Sequence, residues 1–228
     1  MTFADGDFVK IEYSMWRVSD NSLMATTDRK IAEEKGIYNK EVRYGPMLVV
    51  IGKGSVFKKL ENAIKEMDVG SNKKVELSPE EAYGERNKDL VRVMPISEFR
   101  KKNIDPMPGM QIEIDDAVAT IMSVNSGRVM VDANHVLAGE KLLYEVKVVS
   151  NINNESERVK AVAESRNLEP EKVEVKEDMA KVSFGTKTNK DAQYFINKSS
   201  LVYSILDYLP KIKKVYIEEE YTKEENKQ

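Results

Sequence analysis

The chemistry open to this chain is bounded first by what it lacks. Its 228 residues include no cysteine and one histidine, His135. Disulfides, thiol nucleophiles, iron–sulfur clusters and cysteine-based zinc sites are therefore excluded, and nothing requires an oxidising compartment. One imidazole without a second ligand of the usual kind does not hold a metal, so His135 reads as a loop residue. No cofactor and no metal are expected. Two other groups of side chains remain. Tyr83 stands between Ala82 and Gly84 in a stretch with turn residues at both ends, where it has room to present its hydroxyl as a donor. Five of the eleven methionines, Met94, Met107, Met110, Met122 and Met130, crowd into residues 86–133. Methionine fills small irregular cores, yet a unit of this size cannot bury five of them together with Ile96, Phe99, Ile112, Ile114 and Ile121. Some of that apolar surface must face solvent, and a Met-lined groove suits a surface that takes many different partner segments.

Positioning these residues takes two or three compact units, the number that a chain of 228 residues usually builds. Phe8, Val9, Ile11, Tyr13, Met15 and Trp16 partly alternate with polar residues, which predicts a first strand with Trp16 in the core. A turn at Ser19-Asp20-Asn21-Ser22 leads to Leu23-Met24-Ala25 and a polar excursion to Asn39, helical in part. Met47 to Ile51 is a short buried strand ended by Gly52-Lys53-Gly54. Ser55 then sits where an N-cap belongs, and Phe57, Leu60, Ala63 and Ile64 recur at helical spacing until Asp68-Val69-Gly70. Strands are expected at 74–77 and, most clearly, at 142–149. Between them residues 86–133 form a small unit with strands at 111–114, 117–124 and 128–131, turned at Asp115-Asp116 and Asn125-Ser126-Gly127. Residues 151–157 read as a linker. Beyond it come a helix at 159–165, strands at 173–175 and 181–184, a helix at 191–208 striped by Ala192, Phe195, Ile196, Val202, Ile205, Leu206 and Leu209, and a strand at 212–217. Glu218-Glu219-Glu220 begins a charged, frayed tail.

Composition sets the surface. A hydrophobic share of 41% can build cores, while 36 basic and 39 acidic residues leave a net charge of −3 and none of the basic excess of a nucleic-acid binder. The first residues lack the basic and apolar regions of a signal peptide, and the longest apolar stretch in the first half, Met47 to Ile51, is far short of the ~20 residues that cross a bilayer. A cytoplasmic protein without a membrane anchor is expected.

The run Ile51-Gly52-Lys53-Gly54-Ser55-Val56-Phe57-Lys58-Lys59-Leu60-Glu61-Asn62-Ala63-Ile64, then Met67-Asp68-Val69-Gly70, then Ser78-Pro79-Glu80-Glu81-Ala82-Tyr83-Gly84, closely resembles the FKBP family of peptidyl-prolyl isomerases. Tyr13 and Leu143-Tyr144-Glu145-Val146 fit the same framework. About fifty residues separate the Ala-Tyr-Gly loop from Asn134-His135-Val136-Leu137-Ala138-Gly139, a pattern similar to the SlyD-like branch, in which an insert-in-flap domain replaces the flap. The resemblance covers residues 1–151, and the further C-terminal part looks like the long-chain archaeal members.

The resemblance implies an α+β fold: an FKBP-like antiparallel sheet wrapped on a short helix (1–85 with 134–151), a small β-rich insert-in-flap chaperone domain (86–133), and a separate C-terminal α+β domain (152–228). It implies a prolyl site of Tyr83, Tyr13, Phe57 and Tyr144, with Met24, Met47, Val56, Leu60, His135 and Leu137 binding substrate and Tyr83 donating to the substrate carbonyl. The insert would offer Met94, Ile96, Phe99, Met107, Met110, Ile121 and Met122 to unfolded or partly folded polypeptides. Two positions depart from the family pattern: Met24-Ala25 replaces its usual Phe-Asp pair, and Leu60 stands where a Trp is frequent. The rival expectation is a holdase chaperone whose degenerate pocket binds without catalysis. The surplus apolar faces of the last helix predict a homodimer through the C-terminal domain, with packing against the isomerase part as the alternative.

Overall fold

The computed structural model describes residues 2–114, 117–186 and 189–222; the turn expected at Asp115-Asp116 and the end of the charged tail lie outside them. The elements in chain order are β1 (Phe8–Arg17), β2 (Ser22–Thr26), α1 (Arg29–Glu34), β3 (Met47–Val50), α2 (Lys58–Lys65), β4 (Asn72–Leu77), β5 (Val91–Pro95), α3 (Ile96–Lys101), β6 (Gln111–Ile114), β7 (Ala117–Asn125), β8 (Arg128–Asp132), β9 (Leu142–Ile152), α4 (Glu155–Ser165), β10 (Lys172–Lys176), β11 (Met179–Phe184), α5 (Ala192–Tyr208) and β12 (Lys214–Glu219). The fold mixes α and β with largely antiparallel sheets, and the chain divides into two compact units, Met1–Glu76 with Leu143–Gln228, and Leu77–Leu142.

In the first unit the sheet runs β2-β1-β9-β4, with β3 also paired to β1. The antiparallel register sets Phe8 against Val50 and Lys10 against Leu48 on one face, and Val9 against Val49 and Ile11 against Met47 on the other. Phe8, Val9, Ile11, Val49 and Val50 are all buried, so both faces of this pair are covered. Phe8 and Val50 share one core with Ile152, Val159, Val162, Leu168, Val182, Phe184, Leu201 and Ile205. The C-terminal part therefore does not stand apart as expected: it covers one face of β1 and β3. Nor is there a linker at 151–157, because β9 continues to Ile152 and the Asn154 side chain caps α4 by accepting from Glu157 N at 3.0 Å. Arg158 adds a cation–π contact over Phe8 at 4.9 Å, and Lys53 pairs with Asp207 at 2.8 Å. Exposed ion pairs contribute about 0–1 kcal/mol, whereas burying a side chain such as Phe8 or Val50 contributes about 1.5–3 kcal/mol. The shared core is thus the main tie.

Four local expectations are corrected. α2 begins two residues later than its stripe suggested, capped by the Phe57 backbone, while the Ser55 hydroxyl accepts from Val50 N at 3.1 Å and so staples the end of β3. Trp16 is only half-buried and donates from its indole to Glu145. On α5 the buried side is Tyr194, Leu201, Ser204 and Ile205, whereas Phe195, Ile196 and Leu206 face solvent; this helix carries apolar residues around most of its circumference, so period alone does not choose a face. Glu218 and Glu219 belong to β12, parallel to β11, where Glu218 accepts from Lys181 and Ser183 and Glu219 from Tyr194 and Lys198. Burial, reinforced by the bond to Glu219, pushes the Tyr194 phenol well above its ordinary pKa.

The second unit holds an antiparallel sheet in the order β5-β8-β7-β6. Its core is Phe99, Ala119, Ile121, Val129 and Val131, with Met94, Ile96, Met110, Ile112 and Ile114 packed partly against it. β5 and α3 were not legible, since Pro95 separates two short runs that match neither period well.

Candidate functional site

The first unit gathers two of the expected aromatic residues around a third, Tyr144 on β9. The Tyr13 ring, from β1, lies 5.7 Å away at a tilt of 40°, and the Phe57 ring, at the start of α2, meets it edge-on at 6.4 Å. Both distances fall in the range of favourable aromatic pairs. Tyr144 is buried, while Tyr13 and Phe57 are half-buried, so the cluster is rooted in the core and open at one side. The backbone of Tyr13 is held by threonines that sequence reasoning did not single out. Its N–H donates to Thr27 Oγ1 at 2.9 Å, and its carbonyl accepts from Thr27 N at 3.0 Å and from the Thr26 hydroxyl at 3.2 Å. The signal was the Thr-Thr pair at the end of a strand, where short hydroxyl side chains bond to neighbouring backbone.

The remaining expected residues of this unit are distributed as follows. Met47 is half-buried opposite Ile11 at the start of β3, and Met24 is half-buried on β2. Val56 precedes Phe57 and is half-buried, whereas Leu60 is fully buried, an apolar floor smaller than an indole. Ala25, beside Met24, carries no acid, while the clefts that reach Tyr13 are bordered by Glu12, Asp28 and Glu145 on one side and by Arg43, Tyr44 and Met47 on the other.

In the second unit Tyr83 and His135 stack face to face, ring centres 3.9 Å apart and nearly parallel. The His135 Nδ1 accepts from Leu137 N at 3.1 Å, so the hydrogen of the neutral ring lies on Nε2. Leu137 is buried. The two crossings into the insert are tied beside this stack: Gly139 N donates to Gly84 O at 2.8 Å, Asn87 and Asn134 exchange bonds of 2.8 Å, and Arg86 pairs with Asp132. Burial alone would raise the pKa of Asp132, but hydrogen bonds from Asn134 and Arg86 outweigh it and hold the carboxyl below its ordinary value. This latch was missed; its sequence signal was four polar residues placed at the two ends of one excursion.

Of the expected chaperone residues, Phe99 and Ile121 are corrected to core. They are the apolar centre that lets the sheet and α3 fold at all. Met94, Ile96 and Met110 are partly buried against them, and only Met107 and Met122 are well exposed. A shallow groove over that core is lined by Met94, Phe99, Ile104, Ile112 and Ile114 among others. The exposed apolar groups are elsewhere on this unit: Val93 and Met130 face each other across β5 and β8, and Val118 and Met122 lie on β7. Strand alternation, once β5 is known, identifies Val93 and Met130 as the outward partners of Met94 and Val129. Among the described residues no group of three or more acids and imidazoles could hold a metal, and no helix is long and apolar enough to cross a membrane.

An antiparallel sheet with a Tyr-Tyr-Phe cluster beside a short helix, and a Tyr loop opening into an insert, define an FKBP-type prolyl isomerase architecture. The comparisons agree with it. The short-type peptidyl-prolyl cis-trans isomerase of Methanocaldococcus jannaschii is 34% identical over 143 residues, which are 63% of this chain and 90% of that one, and this chain belongs to the FKBP-type peptidyl-prolyl cis–trans isomerases. Residues 92–137 match the family described as the FKBP26 IF domain, so the excursion after Tyr83 carries an insert-in-flap. The FKBP-type isomerase SlyD of Pasteurella multocida is 36% identical over 110 residues, 46% of this chain and 54% of that one. That of Vibrio cholerae is 27% identical over 139 residues, 59% and 68% of the two chains.

Proposed function

We propose that this protein is a cytoplasmic folding catalyst that binds unfolded or partly folded polypeptides and accelerates cis–trans isomerisation of their Xaa-Pro bonds. The observation that carries the reading is the aromatic cluster of Tyr13, Phe57 and Tyr144. Rotation about a prolyl bond needs no nucleophile, acid or metal, only a lowering of an amide barrier of ~18–20 kcal/mol. The planar amide is the more charge-separated state, so an apolar, aromatic surface disfavours it relative to the twisted transition state. Tyr83, with His135 and Leu137 in its own unit, is the donor assigned to the substrate carbonyl, and Met24, Met47, Val56 and Leu60 are the substrate-binding residues assigned beside Tyr13, Phe57 and Tyr144. Residues 1–85 with 134–151 do the isomerisation, residues 86–133 capture the client, and residues 152–228 brace the sheet and join two copies. A protease-coupled assay on a short Xaa-Pro peptide tests it. Catalysis is expected from the intact chain, with turnover reduced about tenfold in Tyr83→Phe. Unchanged turnover in that variant removes Tyr83 as donor. An uncatalysed rate in the intact chain favours the holdase, a reading supported by Met24-Ala25 and Leu60.

The joining of two copies is supported by α5. The exposed residues Ala192, Phe195, Ile196, Ser199, Tyr203 and Leu206 and the half-buried Val202 fall on one helical face. They are symmetric about Ser199, at three, four and seven residues to either side. An antiparallel twofold contact centred there sets Phe195 against Tyr203, Ile196 against Val202 and Ala192 against Leu206, with the Lys198 ammonium, which lies 4.6 Å from the centre of the Phe195 ring and is paired with Glu219, at its border. Light scattering at tens of micromolar is expected to give a dimer for the intact chain and a monomer for Ile196→Glu/Tyr203→Glu.

A further inference from the structure

Among the described residues only two charged side chains are buried, Asp132 and Glu61. Asp132 is paired with Arg86 and held by Asn134. Glu61 is different: it is 8% exposed, and its cation, Lys65, stands 4.0 Å away and is engaged at 2.7 Å by Asp5. A carboxylate taken out of water at such a cost is retained where it does something that an apolar residue cannot. Glu61 Oε2 accepts from Gly52 N at 3.1 Å. Gly52 lies inside the turn after β3 with φ +80°, and a Cβ there would lie 2.9 Å from the Asp5 side chain, so the turn is backed on its other side as well. Glu61 also donates its own N–H to the Phe57 carbonyl at 2.9 Å. One residue thus grips residues 52–57 at both ends, and this span leads straight into the ring that meets Tyr144.

We infer that Glu61 is a positioning residue: its buried carboxylate on Gly52 N–H and its backbone on Phe57 O set the turn that aims the Phe57 ring at Tyr144. The inference rests on the reading of Phe57 and Tyr144 as prolyl-site residues. It makes reach and acceptor chemistry, not charge, the required properties. Glu61→Gln keeps an oxygen at the same reach, Glu61→Asp keeps the charge but falls one methylene short, and Glu61→Met keeps the volume without an acceptor.

Two readouts apply to the full chain: kcat and KM on a short Xaa-Pro peptide, and the nuclear Overhauser contact between the Phe57 and Tyr144 rings. Glu61→Gln is expected within about twofold of wild type with the ring contact intact. Glu61→Asp and Glu61→Met are expected to lose about tenfold in kcat/KM, through KM more than kcat, with the ring contact weakened. Full activity and an intact contact in Glu61→Asp would overturn the inference, as would a Glu61→Gln variant that loses as much as Glu61→Met. If Glu61→Met does not fold, the Gln and Asp pair decides alone. If the wild-type chain does not isomerise the peptide, the functional reading fails, and the ring contact still decides the positioning role.

Discussion

The cluster around Tyr144 and the outer face of the insert are both apolar, and they are built in opposite ways. Tyr144 is buried and flanked by rings from β1 and from the start of α2, and the Tyr13 backbone is bonded to Thr26 and Thr27. The insert instead exposes Val93, Val118, Met122 and Met130 on a sheet whose other face is already filled by Phe99 and Ile121. Fixed aromatic walls suit a transition state of one geometry. Unbranched thioethers on an open face suit segments of many shapes. A single chain can thereby separate rate from capture, provided each surface can be damaged without the other.

The largest effect is expected from Phe57→Ala, which removes a wall of the cluster. Turnover of a short Xaa-Pro peptide should fall by about 30- to 100-fold, with peptide affinity reduced as well. Binding of a permanently unfolded protein should stay within twofold. A comparable loss of that binding would join the two surfaces into one. The converse variant, Val93→Ser/Met130→Ser, should weaken capture of the unfolded protein by about fivefold and leave peptide turnover unchanged. If it does not, the outer face is not the capture surface, and the half-buried side near Met94 and Met110 becomes the candidate.

A smaller effect concerns pH. Because the folded-state pKa of Asp132 lies below its unfolded value, the group contributes stability that is complete above about pH 4 and is lost as pH falls through the folded pKa. Near-ultraviolet circular dichroism between pH 6 and pH 2 should therefore show acid loosening of the insert unit, shallower in Asp132→Asn, which should also be less stable at pH 7. An identical acid profile in both proteins would remove the latch as the cause.

The family resemblance was legible because it is written in local order: a glycine-marked strand end, an apolar pair before a helix, and Ala82-Tyr83-Gly84. Tyr13 and Tyr144 then meet because β1 neighbours β9, and Phe57 joins them from the N-terminus of α2. The exposed apolar surface of the insert was half legible. Methionine content pointed to residues 86–133, but which apolar residues face outward depends on β5, and Pro95 hid that strand and its partner helix. The C-terminal part was misread as separate for a different reason. Its boundary, Asn151-Ile152-Asn153-Asn154, is polar like a linker, yet Ile152 closes a core and Asn154 caps a helix. Polar composition at a junction cannot distinguish a tether from a cap.

The division of labour is tested most directly by replacing residues 86–133 with a short flap and assaying two substrates on the folded variant. Isomerisation of a short Xaa-Pro peptide should remain within a few-fold of the intact chain, while catalysis of the refolding of a proline-limited protein should drop at least tenfold, since only the second substrate must be captured first. Equal losses on both substrates would contradict the account.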